Sequence, residues 1–559
     1  MRQNITVFVL LLHFLPTLLW AEDTYTRVYS ILQTHCTNGC HTAATPGGLL
    51  VLDADANTVY NNLVGALPTN PAALNKGYKR VTPGYPDRSF LFKKVNNYLE
   101  NNFDLDAAEG NAMPPYGGLQ LSNVEKELIR QWILFGAPQT GEVVSEAVLE
   151  EFYNSGGEFL TPPPAPAAGE GLQIHHGPIF LSPQQEIEAF RKYDLQLPDS
   201  LDLIGFSITM NAESHHFVVY QYKPTLTTDI PAGVRVSSGF ADEIVMYQNA
   251  DFLDIWQFGE PHILPENTAF RWGPNTAVDF NYHIKNYSNT SIVPAEAYIN
   301  FYTQPKNPAR KEMQLGLAPY GGTNPFILNI PNTAQDVTFA FAQNDDEDRW
   351  IKLWKMQGHT HHLGRDFDVY LRNADGSKGA QLYEGFYDVS YTFNQGYYDY
   401  SHPPVLRMDP TMCLNMKDGL IFEAKYFNDG PAPVGFGLTT QEEMFVGYYH
   451  YVELSPDEVS ECISGIEENT GNKPLVGQWD ISPNPSAGKF SITFDILQDI
   501  EIEATLSDLL GRKVANVYKG LLPQGRQSLA FEQVLPAGVY LLSVISDKGI
   551  ETKRVFIGQ

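Results

Sequence analysis

Short runs in which apolar and polar residues alternate, cut at close intervals by turn residues, dictate sheet rather than helix for most of this chain. Successive side chains of a strand face opposite sides, so alternation of this kind buries one face and wets the other. Phe217 to Tyr222 reads as such a strand, as does Phe367 to Leu371, which ends in the turn Asn373-Ala374-Asp375-Gly376. The 45 Gly and 38 Pro punctuate the sequence throughout and favour many short strands over long helices. A chain of 559 residues is too long for one core, and roughly 100–200 residues per domain predicts about three to five folding units. With 43% hydrophobic and only 18% charged residues, global disorder is excluded. The 65 acidic residues outnumber the 37 basic ones and give a net charge of −28, which repels a phosphate backbone and argues against a nucleic-acid partner.

Both ends carry targeting patterns. Residues 1–21 begin with Arg2, run apolar from Val7 to Trp20 and reach Ala21 just before Glu22-Asp23, the layout of a signal peptide. His13 and Pro16 interrupt the apolar run, which is shorter than the ~20 residues a membrane span needs. No other stretch approaches that length, so the expectation is export with no transmembrane segment. Residues 475–559 read as a separate small β-sandwich, with Phe490, Ile492, Phe494 and Ile496 alternating, then Ile500, Ile502, Ala504 and Leu506, then an apolar strand from Val539 to Val544. Four short motifs follow one another there: Ile481-Ser482-Pro483-Asn484-Pro485, Asp508-Leu509-Leu510-Gly511-Arg512, Leu535-Pro536-Ala537-Gly538-Val539-Tyr540 and Lys553-Arg554-Val555. Together they resemble the C-terminal sorting domain of type IX secretion. The resemblance implies a partner in that secretion machinery, passage across the outer membrane of a Bacteroidetes-type bacterium, removal of the domain, and a product that is secreted or held at the cell surface.

Residues 22–138 hold His35-Cys36-Thr37-Asn38-Gly39-Cys40-His41. Two close cysteines followed by His is the pattern that attaches haem c, although the usual spacing between the cysteines is one residue shorter. Val28, Ile31 and Leu32 stand at helical spacing and would bring the motif to a helix end, Met113-Pro114-Pro115 offers a thioether on a turn, and Ser122-Asn123-Val124-Glu125 is a capping box. That box opens a helix with Leu128, Ile129, Trp132 and Phe135 along one face, stopped by Gly136 and Pro138. The module resembles the small all-α cytochrome c-like domains fused to bacterial secreted enzymes, including their Gly47-Gly48-Leu49-Leu50 stretch. The resemblance implies that Cys36 and Cys40 attach a haem c, with His41 and Met113 as axial ligands. The alternative is a small disulfide between Cys36 and Cys40 with His41 on the surface. Residues 139–170 lose apolar periodicity, are acidic from Glu142 to Glu151 and stiff at Pro162-Pro163-Pro164-Ala165-Pro166, and read as a linker.

Residues 171–465 are long enough for two sandwiches, divided near 300, and hold three histidine clusters: His175-His176, His215-His216 and His359-Thr360-His361-His362. Positions i and i+2 of a strand share a face, so His359 and His361 can reach one metal while His362 points away. Adjacent His215 and His216 converge only at a strand end or bulge. For one pair alone, a polar sheet face is the plainer explanation; two pairs in one β-rich region favour metal. Gly358-His359-Thr360-His361-His362-Leu363-Gly364-Arg365 resembles the signature of the copper type II, ascorbate-dependent monooxygenases, the peptidylglycine α-hydroxylating and dopamine β-monooxygenase family. Ser214-His215-His216-Phe217, Asp279-Phe280-Asn281-Tyr282-His283 and Glu442-Glu443-Met444 with Tyr448 match its other segments in order. The resemblance implies two mainly antiparallel, jelly-roll-like copper domains, 171–300 and 301–465. One copper would be held by His215, His216 and His283, a second by His359, His361 and Met444, and Tyr448 would contact substrate. It further implies hydroxylation of a C–H bond of a small organic substrate by O2, with electrons from ascorbate or a redox protein and a possible relay through the fused haem.

Where the peptidylglycine enzymes carry a substrate-gripping Arg, this chain has Gln357, which removes the strongest anchor for a carboxylate and argues against peptide amidation. The aromatic stretch Tyr383 to Tyr400 reads as packed surface, and His175-His176, His262 and His402 as structural or surface residues. Cys413 and Cys462, in an exported protein, are expected to form a disulfide. Two other functions stay in view: an extracellular copper-binding or redox-sensing protein without turnover, and a zinc hydrolase, which the lack of a Glu base beside the His pairs disfavours.

Overall fold

The computed structural model of the protein describes all residues except 1–21, 101–104, 227, 238–244, 247, 257–260, 323, 325–326, 386–402, 438, 440, 461–478, 485, 487, 497, 508–512, 534, 537, 547–548 and 558–559. The signal segment, His402, Cys462 and most of the Tyr383 to Tyr400 stretch therefore lie outside the described residues, as do Pro485, Ala537 and the Asp508 to Arg512 motif.

The front of the chain is helical: α1 (Thr24–Cys36), α2 (Ala56–Leu63), α3 (Pro71–Asn75), α4 (Phe90–Val95), α5 (Asn123–Leu134) and α6 (Glu146–Asn154). As the apolar spacing predicts, α1 ends on Cys36 with Val28, Ile31 and Leu32 buried. Ser122 and Glu125 form the expected reciprocal cap on α5. Helix α6 was not expected, since it falls in the acidic stretch read as linker. Leu149 and Phe152, three apart on one face, are buried in the helical core and explain it. The proline run beyond it is pinned by its carbonyls, Pro163 accepting from Gln173 Nε2 (3.0 Å) and Pro164 from Asn300 Nδ2 (2.9 Å).

Most of the rest is antiparallel sheet. The first sandwich comprises β1 (Gly171–Leu181), β2 (Glu186–Asp194), β3 (Leu201–Met210), β4 (Ser214–Tyr222), β5 (Gly233–Val236), β6 (Ala250–Trp256), β7 (His262–Ile263), β8 (Thr268–Trp272), β9 (Ala277–Lys285), β10 (Val293–Pro305) and β11 (Lys311–Glu312). One sheet runs β1-β10-β3-β8-β11 with β7 on β3, and the other β5-β2-β9-β4-β6. Phe217, Val219, Phe280 and Tyr282 point between them into a shared core, so His216 and His283, on the opposite parity, stand on the outer face of the second sheet.

The second sandwich comprises β12 (Gln314–Pro319), β13 (Asn329–Ile330), β14 (Asp336–Gln343), β15 (Trp350–Thr360), β16 (Gly364–Arg372), β17 (Lys378–Glu384), β18 (Leu406–Asn415), β19 (Leu420–Phe427), β20 (Val434–Gly435) and β21 (Phe445–Glu453). Sheets β12-β21-β15-β18 and β14-β19-β16-β17 enclose its core. The outer face of the former packs on the outer face of the first sandwich's β4–β6 region: Tyr448 lies among Phe190, Val218, Tyr220 and Ile255, with Leu315 and Leu317 beside it. A third, smaller sandwich covers 479–557 and has its own core, in which Phe490, Ile492, Phe494 and Ile496 are buried as the alternation predicts.

Two glycines shape the sheet behind the histidines of the second sandwich. Gly358 and Gly447 are opposite each other in the β15–β21 ladder, and a Cβ on either would run into a core ring, Phe367 behind Gly358 and Phe422 behind Gly447. The rings press directly on the backbone that carries His359. Gly358→Ala should therefore overpack this core and lower stability by about 1–3 kcal/mol, read from the midpoint of chemical denaturation.

Candidate metal centre

His215 and His216 converge because β4 breaks register against β9 between Ser214 and His216, the bulge their adjacency demands. His216 then lies opposite His283. Within this set the ring centroids are all 5.1 Å apart. At the end of β15, His359 and, one residue past the strand, His361 have ring centroids 5.3 Å apart, while His362 is turned to the exposed side. The docked sandwiches bring the two sets into one space: His215 is 5.3 Å from His359 and 5.4 Å from His361, and His216 is 5.5 Å from His359. One nitrogen from each of His215, His216 and His359 lies within 4.8 Å of the others.

All five rings are 5% exposed or less. Burial, and then the neighbouring imidazoles, hold His215, His216 and His361 well below the ordinary imidazole range and push His359 down to about 3. These four are thus neutral at pH 7, the form that ligates metal. His216 Nδ1, His283 Nδ1, His359 Nδ1 and His361 Nε2 are buried without a hydrogen-bond partner. The opposite nitrogens of two of them are anchored: His283 Nε2 donates to Glu186 Oε1 (2.8 Å), and His361 Nδ1 donates to the Glu442 carbonyl (3.1 Å). Such outer hydrogen bonds fix which nitrogen is presented.

Met444 lies one residue past the end of the ladder. Continuing the register in which His359 faces Val446 and Thr360 faces Phe445 sets it opposite His361. Its carbonyl accepts from Tyr426 Oη at 2.5 Å. Glu443, missed as a contributor from sequence, ties this segment to the histidine turn: its carboxylate accepts from the backbone N–H groups of Leu363 (2.6 Å), His361 (2.9 Å) and Met444 (3.2 Å). Burial pushes that carboxyl up to about 8, against the pull of the three donors.

The other sequence-singled residues fall elsewhere. Tyr448 is fully buried in the interface, its hydroxyl 3.5 Å from the Ile255 carbonyl. Gln357 lies opposite it on β15 and is also buried. His176 is wholly inside the first core, ringed by Phe217, Phe280 and Tyr282, whereas His175 stacks on Tyr298 and donates to Glu296 (2.9 Å). In the front module, Cys36 and Cys40 are not disulfide-bonded. Burial, and secondarily Cys40, raises the Cys36 thiol to about 11. His41 Nδ1 stands 3.3 Å from the Leu50 carbonyl, and Met113 is anchored by its N–H on the Lys94 carbonyl (2.6 Å). Cys413 is disulfide-bonded.

A second buried cluster, not anticipated, crosses the same interface. Lys355 Nζ donates to both oxygens of Asp254 (2.8 and 2.7 Å), His262 Nδ1 donates to the same carboxylate, and His450 Nε2 donates to the Leu253 carbonyl (2.8 Å). None of the four side chains exceeds 4% exposure. Burial pushes Lys355 down to about 8 and each of the two histidines down to about 4. Burial alone would raise Asp254, but Lys355 and the two histidines outweigh it and hold it low.

Residues 480–558 match the family described as the Secretion system C-terminal sorting domain. The chain is therefore exported and is secreted or held at the cell surface, and none of its described helices is long and apolar enough to cross a membrane. No curated protein matches the chain. Among solved structures, it is similar to a β-glucuronidase of Faecalibacterium prausnitzii (9% identity, 40% of this chain and 36% of that one, TM-score 0.14). A second is the Ruminococcus gnavus β-glucuronidase bound to D-glucaro-d-lactam (10% identity, 40% and 37%, TM-score 0.12). A third is the BSP domain of a biofilm-associated protein (10% identity, 72% and 84%, TM-score 0.13). The chain thus spans little more than a third of the glucuronidases it matches. At these TM-scores the likenesses assign neither fold nor function.

The lowered histidines make stability depend on pH. His262 and His450 have folded pKa values of about 4 against 6.5 ordinarily, so between those values the unfolded chain binds more protons than the folded one. Stability should therefore fall as the pH drops from about 6.5 to about 4, by up to ~1.4 kcal/mol per pH unit for each group. Calorimetry across that window checks the slope, and His450→Gln should reduce it by that one group's share, the other lowered histidines keeping the rest.

Proposed function

We propose that the protein is an exported copper-dependent monooxygenase that hydroxylates a C–H bond of a small organic substrate. One observation carries this reading: five buried imidazoles from separate segments converge on one space, four of them with a buried ring nitrogen that lacks a partner. Such nitrogens are costly to bury unless something binds them, so the donor set fits a metal. Met444, opposite His361 by register, favours copper, because a thioether beside imidazole suits Cu(I) better than zinc or magnesium.

His215, His216 and His283 would hold one ion and His359, His361 and Met444 another. Copper bound there would supply one-electron chemistry: with two electrons from an external donor and two protons, one atom of O2 would enter a C–H bond and the other would leave as water. The chain's own groups hold and shield this site. Glu186 and the Glu442 carbonyl fix the rings of His283 and His361, Glu443 ties the turn after His361 to the segment that carries Met444, and the apolar interface around Tyr448 excludes water. Cys36, Cys40, His41 and Met113 would hold a haem c, which would supply one-electron transfer. The fit there rests on His41, whose Nδ1 contact with the Leu50 carbonyl leaves Nε2 for iron, and on the proximity of the two thiols.

A second reading, a copper-binding protein without turnover, draws on the same burial, since none of the five rings exceeds 5% exposure. Copper titration of the mature chain should reach two ions per chain, and reductant-driven O2 uptake should rise with a hydroxylated substrate found by screening small organic compounds. His359→Ala should cut that uptake by more than about 100-fold, beyond the effect usual for outer groups. Stoichiometric copper with no O2 uptake under any donor would leave the binding protein as the function.

The Glu443 clamp gives a further test. Glu443→Ala should weaken copper binding in the half-site of His359, His361 and Met444 by about 10–100-fold while leaving the other half-site near its native affinity, which competition titration would resolve.

A further inference from the structure

We infer that Asp254 and Lys355 are a positioning pair that sets the docking of the two sandwiches and thereby brings the two halves of the histidine cluster together. The inference rests on the metal-centre reading only for its effect on copper; the docking itself is separate from it.

The cluster draws on both sandwiches, since β4 and β9 carry His215, His216 and His283 while β15 carries His359 and leads to His361, one residue past its end. Something must fix how the sandwiches meet. The apolar contacts around Tyr448 are non-directional and would tolerate sliding. Directional contacts from β15 and β21 gather on the short stretch of β6 from Leu253 to Ile255: Lys355 on both oxygens of Asp254, His450 on the Leu253 carbonyl, and Tyr448, more distantly, on the Ile255 carbonyl; another, at the end of β21, is accepted by the Glu453 carbonyl from Lys311 of β11, which is partly exposed (2.9 Å).

A register break in β15 between Leu353 and Lys355 aims the lysine. Leu353 points into the second core, whereas Trp354 packs with the first core and Lys355 reaches Asp254. From Lys355 the same face of the same strand leads through Gln357 to His359, about 13 Å at the usual rise per residue. A shift at the pair is therefore carried to the ligands by one strand.

The energetics favour a docking role. The ammonium is 0% and the carboxylate 1% exposed, and a buried charge is tolerable only with its partner. When the sandwiches part, both groups regain water. Removing one partner therefore penalises the docked arrangement and not the separated one. Neither residue contacts a proposed ligand, so their role is positioning and not catalysis.

The test compares wild type, Asp254→Asn, Lys355→Met and the double variant, which buries no unpaired charge. The first readout needs no metal: hydrogen exchange across residues 250–256, an edge strand covered by the second sandwich. In metal-free protein each single variant should lose protection there on the order of ten-fold or more, and the double variant should recover it. The second readout is electron spin resonance with Cu(II) alone added. Wild type should show interacting copper ions and the single variants the spectrum of isolated ones, while the double variant, which docks through apolar contacts without the directional pair, should show a weakened interaction. Unchanged protection in the single variants, or a double variant whose copper spectrum matches wild type, would overturn the inference. If protection behaves as expected and wild type binds no copper, the positioning pair stands and the metal reading falls.

Discussion

A buried imidazole nitrogen without a partner forfeits its hydrogen bond to water, at a cost of about 1–3 kcal/mol, and four such nitrogens are gathered between the two sandwiches. Much of the local architecture is what it takes to hold them there. The sheet faces that meet are the outer ones, so each sandwich keeps a complete core of its own and spends its second face on the interface. On the first sandwich a bulge turns adjacent histidines to one side; on the second, strand alternation does so without distortion. Gly358 and Gly447 let Phe367 and Phe422 press on the backbone behind His359, so that the strand bearing the ligands is backed by packed rings rather than a void.

What was legible in the sequence follows from period. The alternation of the C-terminal sandwich, the end of α1 at Cys36, the cap on α5 and the shared face of His359 and His361 are all local geometry, and local geometry is written in spacing. The need for a bulge at His215-His216 was legible as a requirement, though the break in the β4–β9 ladder that meets it depends on β9, over sixty residues away. Helix α6 was hidden because its acidic composition masked two apolar residues three apart. Asp254, Lys355 and His450 were invisible for a stronger reason: a charged residue in a strand normally signals the wet face, and only the arrival of a second sandwich makes that face an interior. His176 is the converse case, an imidazole in an apolar core among aromatic rings where sequence suggested nothing beyond a structural or surface role.

The sorting segment stands apart from this arrangement. Its core draws only on residues 481–557, so its removal would leave the cores of the helical module and the two larger sandwiches intact. A sorting domain of this kind is best self-contained, because a shared core would tie export to the stability of what is exported. The helical module is different, with Arg191 of the first sandwich bonded to the Gly84 carbonyl and Gln131 to that of Pro178. It is built against the sandwich rather than strung from it.

The distances between the half-sites bear on how the site would work. The proposed function assigns one ion to each sandwich, yet His215 is as far from His359, across the interface, as His359 is from His361, two residues on, 5.3 Å in both cases. In the docked form the two half-sites share one closed space with no ring more than 5% exposed. A substrate larger than O2 therefore reaches the ligands only if the interface loosens, and loosening it exposes Lys355 and Asp254 to water. Access to the cluster and integrity of the charged pair thus oppose each other. The two are joined by β15, which carries Lys355 at one point and His359 four residues on.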